Sequence, residues 1–329
     1  MTSAITLANL ESRLYQMPLV RAADRWLHAM PHPSLVVEIA AAHVAAARWG
    51  GVRGALEGTS VEPLPAGSLM PSPVETNLAQ PEAVRSAVRR VLSRVPHHGA
   101  PVALLVPDPV VRVFVLPYET LPRKAADALP LLRWRLKKSV PFDVEEAAVS
   151  WMRQSGRSGG LEVVTAVARQ KILREYEEIV EAEGARVGVV LSSTLAVLPL
   201  LDERGSTLLV RLSGRTLTTA IVSGGSLCVY RSTEMPGEAE SLNPQAMLEE
   251  VFPAVAYYQD SWGGELDRAI LTGFGEREGL LRETLARELK TRTISLAETE
   301  ETRGLASPAQ EILQRGLDSM AGWALNRGR

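Results

Sequence analysis

The chemically capable side chains of this sequence do not fall into a catalytic or metal-binding pattern. Its five histidines are His28, His32, His43, His97 and His98. His97 and His98 follow a helical stretch, with no cysteine or acidic cluster at ligand spacing, so they read as a solvated turn. The single cysteine, Cys228, lies in the strand-like run Ser226-Leu227-Cys228-Val229-Tyr230 and reads as a small buried hydrophobe. One cysteine allows no internal disulfide, which fits a reducing compartment. There is no nucleophile elbow, P-loop or paired cysteine motif, and the spacing of Gly273, Gly275 and Gly279 is not a dinucleotide fingerprint. Glu145-Glu146 and Glu177-Glu178 read as exposed charge, because acid-base work needs groups converging from different elements. No catalytic residue and no metal site is expected.

A basic run is more informative: Arg123-Lys124, then Arg133, Arg135, Lys137 and Lys138. The apolar stripe of its helix is used in packing, so these charges face outward. They are either simply solvated, or they meet an acidic segment or an anionic inner membrane surface. The whole chain has a formal net charge of -2 over 329 residues, which gives no electrostatic reason to expect nucleic acid. With 46% hydrophobic and 22% charged residues, it is long enough for two domains or one bilobed fold. Glu11, Arg13, Arg21, Asp24 and Arg25 interrupt the first thirty residues, so no secretory signal is visible. No stretch approaches the roughly 20 apolar residues of a membrane span. A soluble protein is expected, reaching a membrane only through partners.

The elements that must position these residues come in a repeated order. Residues 1–33 form a leader, helix-compatible over 7–30 and stopped by Pro31-His32-Pro33. Strands are expected over 35–39, 43–49 and 52–57 as a meander. A Pro/Gly/Ser-rich stretch follows over 63–73, then a helix over 82–95 and a buried strand over 102–106. The middle section has a strand over 111–116 and a helical stretch over 122–139. The latter carries an apolar stripe of Ala125, Leu129, Leu132, Leu136 and Val140, and a kink or restart at Pro130. Strands over 147–153 and 161–167 and a helix over 171–183, capped by Gly184, complete it. A second meander (208–212, 216–222, 227–232) precedes a helix over 244–262, a strand over 269–272, a helix over 278–289 and a closing helix over 308–326. The meander-helix-strand theme thus occurs twice, over about 35–106 and 207–272, as in a duplicated two-lobed fold.

Several segments resemble the PilM family of type IV pilus assembly proteins, in the actin-like ATPase superfamily. Leu131-Leu132-Arg133-Trp134-Arg135 leading to Val140-Pro141-Phe142-Asp143 is similar to the family's helix and its Ile-Pro-Phe turn. Val255-Ala256-Tyr257-Tyr258, Ala269 to Gly275 and Gly279-Leu280 are similar to a later helix, turn and helix start. Ala321-Gly322-Trp323-Ala324-Leu325-Asn326-Arg327 is similar to the terminal Ala-x-Gly-Leu-Ala-x-Arg. The order covers 34–329. The resemblance implies an α/β fold of the actin-like (ribonuclease H-like) kind, with two lobes and an inserted small α+β subdomain. The first lobe would span 34–205 with the insertion at about 111–185. The second would span 206–329 with a minor subdomain at about 234–263.

The resemblance also implies a nucleotide site built from two Asp-x-Gly hairpin turns, where glycine lets backbone N–H groups approach phosphates and aspartate organises Mg²⁺. The positions matching the first turn are Glu38, Ile39, Ala40, Ala41, Ala42, His43, Val44 and Ala45. The glycine has gained a Cβ, and the family's hydroxyls and lysine are gone. The second turn reads Arg211-Leu212-Ser213, with Gly214 following, which reverses the charge expected beside the metal. Only Gly273-Phe274-Gly275, on the adenosine side, keeps something like the pattern. Glu38 could hold a metal through water and Arg211 could contact a phosphate; the favoured expectation is a vestigial site without ATP or Mg²⁺. The implied function is a cytoplasmic scaffold of a pilus or related secretion machine, at the inner face of the inner membrane, alone or as a homo-oligomer. Its partner would be the N-terminal tail of a single-span PilN-like protein. The tail would lie in a groove between the first subdomain and the insertion, near Val111, Arg112, Val113, Phe114, Arg133 and Leu136. An active ATPase, the cytoplasmic part of a type II secretion L-type protein, and a sugar kinase are the rivals.

Overall fold

The structure, a computed structural model, describes residues 32–50, 55–97, 99–156, 160–202, 204–236, 243–305 and 307–326. The helix expected over 7–30 lies outside them, as does His98. The chain divides into Met1–His32 and Pro33–Arg329, and every described strand and helix belongs to the second unit.

Two five-stranded sheets share one plan. In the first, β1 (Leu35–Ile39), β2 (His43–Gly50) and β3 (Ala55–Pro63) form an antiparallel meander. β4 (Pro101–Val106) joins β1 in parallel and β8 (Arg186–Ser192) joins β4, giving the order β3-β2-β1-β4-β8. In the second, β9 (Ser206–Ser213), β10 (Thr216–Ser223) and β11 (Ser226–Glu234) form the meander. β12 (Arg268–Thr272) and β13 (Arg292–Ser295) add in parallel, giving β11-β10-β9-β12-β13. The central strands β1 and β9 are paired on both sides and covered on both faces. Their sequences are therefore near-continuous apolar runs, each broken by one charge, Glu38 and Arg211. The identical orders establish the duplicated actin-like architecture.

Between the halves of the first sheet the chain makes a third, antiparallel sheet, β5-β7-β6, from β5 (Arg112–Tyr118), β6 (Ala147–Ser155) and β7 (Leu161–Arg169). Helix α1 (Pro81–Arg94) packs Val84, Val88, Val91 and Leu92 on the first sheet. It opens on Pro81, whose fixed φ suits a first helical turn, and on Glu82, which faces the positive end of the helix. Helix α2 (Ala125–Leu136) covers the inserted sheet, and α3 (Gln170–Glu181) returns to the first lobe. Short α4 (Ser193–Val197) follows β8. After the second meander come α5 (Pro244–Trp262), α6 (Glu278–Leu289), α7 (Glu300–Arg303), α8 (Ser307–Gln314) and α9 (Asp318–Asn326), the last packed on the core of the first lobe. No described helix is long and apolar enough to cross a membrane.

Several expectations need correction. Pro130 sits inside α2 without ending it, and the buried stripe is Ala128, Leu132 and Leu136, while Ala125 is exposed. The closing helix over 308–326 is two helices, because Gly316 adopts φ +77° between them, the left-handed value that ends a helix. β13 carries three polar residues in four and gives no strand signal by itself. The expected buried Cys228 is 2% exposed, while the cap of α3 is Ala182, and Gly184, at φ +82°, lies two residues beyond it.

The break at Gly316 lets α9 turn back onto the first lobe. Met320 and Ala321 are fully buried, and the Trp323 indole N–H donates to the Pro33 carbonyl at 3.1 Å. A Cβ on Gly322 would lie 2.0 Å from the Ala196 carbonyl oxygen and 3.0 Å from the Val197 Cα, so α9 and α4 touch backbone to backbone. Gly322→Ala should therefore destabilise by about 1–3 kcal/mol through overpacking. Gly279→Ala, where a Cβ meets nothing within 4 Å, should be neutral or slightly stabilising. Urea unfolding of the two variants checks the contrast.

Candidate functional site

Arg211 lies in the middle of β9, 5% exposed, after the fully buried Leu208, Leu209 and Val210. A charge there must be paired, since an isolated buried ion is costly. Its cross-strand neighbours are Thr218 on β10 and Thr272 on β12. Their small side chains leave room for the guanidinium and supply hydroxyl donors to its counter-ions. Arg211 Nε donates to Asp318 Oδ2 and Nη2 to Asp318 Oδ1, both at 2.9 Å, the fork geometry that suits a carboxylate. Nη1 lies 3.6 Å from Asp108 Oδ2, and Nη2 lies 3.9 Å from Glu38 Oε1. One cation thus faces three carboxylates, from β1, from the turn after β4, and from the start of α9.

Asp108 opens a one-turn 3-10 segment and gathers donors from both lobes. The first lobe supplies the Ser192 hydroxyl, the Thr194 hydroxyl and the Thr194 backbone N–H at 2.9 Å. The second supplies the Thr218 hydroxyl at 2.9 Å and the Tyr230 hydroxyl at 3.1 Å. Asp318 accepts from Thr272 Oγ1 at 3.0 Å and from the Ser319 N–H at 2.8 Å.

Burial opposes the Arg211 charge most strongly, but Asp318, Asp108 and Glu38 outweigh it and hold the guanidinium above its usual value. For Asp318, burial pushes the carboxyl up, and Arg211, Thr272 and the Ser319 N–H together bring it below the ordinary range. Burial first, then Asp108, pushes the Tyr230 phenol well up, so it stays a donor.

The hairpin turns meet above this cluster. In the β1–β2 turn the Ala40 N–H donates to the His43 carbonyl at 2.9 Å, and His43 Nε2 lies 3.9 Å from Glu38. In the β9–β10 turn Gly214 adopts φ +58°, and a Cβ on it would lie 3.4 Å from that of Ala41. The turns from the two lobes therefore approach each other closely. Gly273, at φ +84°, lies against the end of β9, where a Cβ would come within 2.0 Å of the Leu212 carbonyl oxygen. Glu38, Ala40, Ala41, Arg211, Ser213 and Gly273 thus lie around one interlobe cleft. Gly275 opens the 3-10 turn before α6. Among the described residues no group of three or more His, Cys, Asp or Glu is placed to hold a metal ion.

A groove of about 560 Å³ lies beside the cleft. Its walls are Val111, Arg112, Val113 and Phe114 with Lys138, Ser139, Val140 and Pro141 on one side, and Tyr230, Arg231 and Ser232 on the other. Among the described residues β5 pairs only with β7 and β11 only with β10, so both are edge strands, and the β11 edge is closed at Leu227 by the Gln154 amide. Of the residues expected at a partner site, Val111 to Phe114 line this groove and two do not. Arg133 donates to Glu145 at 2.9 Å, and Leu136 is fully buried under α2. The groove lies between the insertion and the second lobe, not between the first subdomain and the insertion.

Asp108, Asp318 and Tyr230 escape a reading of the sequence. The signal for them is indirect: an arginine inside an apolar strand demands a buried acid, but nothing in the sequence says which one.

No protein-family model and no curated protein sequence matches the chain. Among solved structures it is similar to a chain of the PilM-PilN type IV pilus biogenesis complex, with TM-score 0.70 and 19% identity over 91% of this chain and 99% of that one. It is also similar to a Bacteroides thetaiotaomicron protein with actin-like ATPase fold, with TM-score 0.49 and 12% identity over 88% and 96% of the two chains. For the cytoplasmic domain of EpsL, an inner membrane component of the Vibrio cholerae type II secretion system, the values are 0.45, 17%, 80% and 98%. The protein has the actin-like ATPase fold, as its strand orders require. Within that class its fold is PilM-like.

Removing the cation leaves three buried carboxylates facing one another, so Arg211→Ala should cost about 3–5 kcal/mol. Arg211→Lys, which keeps the charge and loses the fork, should cost less. Because the Asp318 carboxyl is lowered by folding, its contribution is complete above the ordinary carboxylate range and is lost as pH falls through and below it. Urea unfolding between about pH 3 and 7 should show this acid loss in the wild type and a shallower one in Asp318→Asn.

Proposed function

We propose that the protein is a non-catalytic docking platform of a type IV pilus assembly machine, working at the cytoplasmic face of the inner membrane. In this reading its groove receives the N-terminal tail of a PilN-like single-span protein, and its nucleotide site is vestigial. The observation that carries the proposal is the pairing of a filled cleft with an open groove. Where the resemblance places phosphates, between two hairpin turns, Arg211 is pinned by Asp318 and Ala41 stands close to Gly214. Beside it, the unpaired edges of β5 and β11 offer main-chain donors and acceptors to an extended peptide. Val111, Val113, Phe114 and Pro141 supply apolar wall, and Arg112, Lys138 and Arg231 supply positive charge. The likeness to a PilM-PilN complex supports a pilus protein as the source of that peptide.

Calorimetric titration tests both halves. Mg-ATP and Mg-ADP should give no binding heat up to millimolar nucleotide. A synthetic peptide of a PilN-like tail should bind at micromolar concentration, and Phe114→Asp should weaken it about tenfold or more by putting a charge in the apolar wall. Micromolar Mg-ATP binding would overturn the vestigial site. A tail affinity indifferent to Phe114→Asp would overturn the groove assignment.

A further inference from the structure

We propose that the outer face of α2, on the inserted subdomain, is a docking surface for an anionic lipid bilayer. The helix buries Ala128, Leu132 and Leu136, yet its other side carries Leu131 at 46% and Trp134 at 77% exposure. Trp134 is the most exposed large apolar side chain among the described residues. Helical spacing puts Leu131, Trp134 and Arg135 on one stripe. Over 123–138 the chain has Arg123, Lys124, Arg133, Arg135, Lys137 and Lys138 against a single acid, Asp127, in a protein whose net charge is -2. Arg133 is tied to Glu145. Arg135 stands over the Tyr118 ring, 5.4 Å from its centroid, a contact that leaves its charge uncompensated. Lys124, Lys137 and Lys138 are exposed and form no ion pair among the described residues.

An indole and a leucine flanked by unpaired lysines match the two layers of a bilayer surface. The ring sits at headgroup depth, while the long cationic side chains reach the phosphates. A protein partner would hold its aromatic anchor in a concavity, or offer a pocket for this one. Trp134 protrudes from a convex helix and is not among the residues that line the groove beside the cleft. A deformable, anionic surface is what such a face complements, and attraction to it accumulates over the cations and is screened by salt. Vesicle binding needs no peptide in the groove, so its outcome and that of the tail titration are independent.

The test is co-sedimentation of the full chain with vesicles of phosphatidylcholine alone or mixed with phosphatidylglycerol, at low and high salt. Binding is expected to the anionic vesicles only, and to disappear at high salt. Lys124→Glu/Lys137→Glu should lower the partition coefficient about tenfold or more, and Trp134→Ala about fivefold. All three positions are exposed, so the melting temperature should hold and serves as the fold control. Neither lysine lines the groove, so tail affinity should also hold. No binding to anionic vesicles, or equal binding by wild type and both variants, would sink the proposal. Retention on immobilised polyglutamate without vesicle binding would assign the face to an acidic protein and overturn the bilayer.

Discussion

A guanidinium buried between two sheets has to be met from several directions at once. Moving an ion of this size out of water costs several kcal/mol even after relaxation, and the loss is offset only by close, well-oriented counter-charges. Arg211 draws them from β1, from the turn after β4 and from the first residue of α9. That requirement ties together parts of the chain that no local rule connects: Arg211 and Asp318 are 107 residues apart. It also explains why the chain turns at Gly316 and why Gly322 has no side chain. Asp318 reaches the cation only if α9 lies flat on α4, and α9 lies flat only if residue 322 lets the backbones touch.

The elements carrying this cluster are largely legible in the sequence, and the cluster itself is not. Buried strands such as 35–39 and 208–212 announce themselves, because being covered on both faces makes them continuous apolar runs. Ser223-Gly224-Gly225-Ser226 announces a hairpin, and its glycines take φ +56° and +76° there. β13 goes unseen because four residues of mixed polarity carry no period. The stripe of α2 is misplaced at Ala125, where the true buried residue, Ala128, differs by one turn and not by chemistry. Glu38 and Arg211 stand out as charges in apolar strands. The other two partners of Arg211 are an aspartate between two prolines and an aspartate heading a short helix, each unremarked locally and meaningful only once the lobes are packed.

Replacing a buried ion pair by apolar side chains is often neutral or stabilising, so the Arg211–Asp318 pair is not explained by net stability alone. Its geometric content is stronger. Apolar side chains tolerate small slides of one lobe over the other, whereas a two-pronged contact at 2.9 Å on both arms does not. A nucleotide with its metal would join the same two turns conditionally, and the lobes could then part when it leaves. A guanidinium covalently part of β9 joins them at all times.

That permanence bears on the groove, because the two sites share a wall. Tyr230 lines the groove with its ring and donates its hydroxyl to Asp108 in the cleft. Ser232, one strand position on the same face, contacts Thr218, which donates to the same carboxylate. β11 is therefore fastened through its own side chains to the cluster that holds Arg211. β5 follows almost directly from Asp108 in the chain. Both rims of the groove are thus referred to one fixed carboxylate, and the spacing of the two strand edges is set by the fold itself. Binding an extended segment between pre-set edges forfeits less ordering entropy than closing two mobile walls around it. The arginine at residue 211, by fixing the carboxylate cluster behind Tyr230, thus bears on the shape of the neighbouring groove.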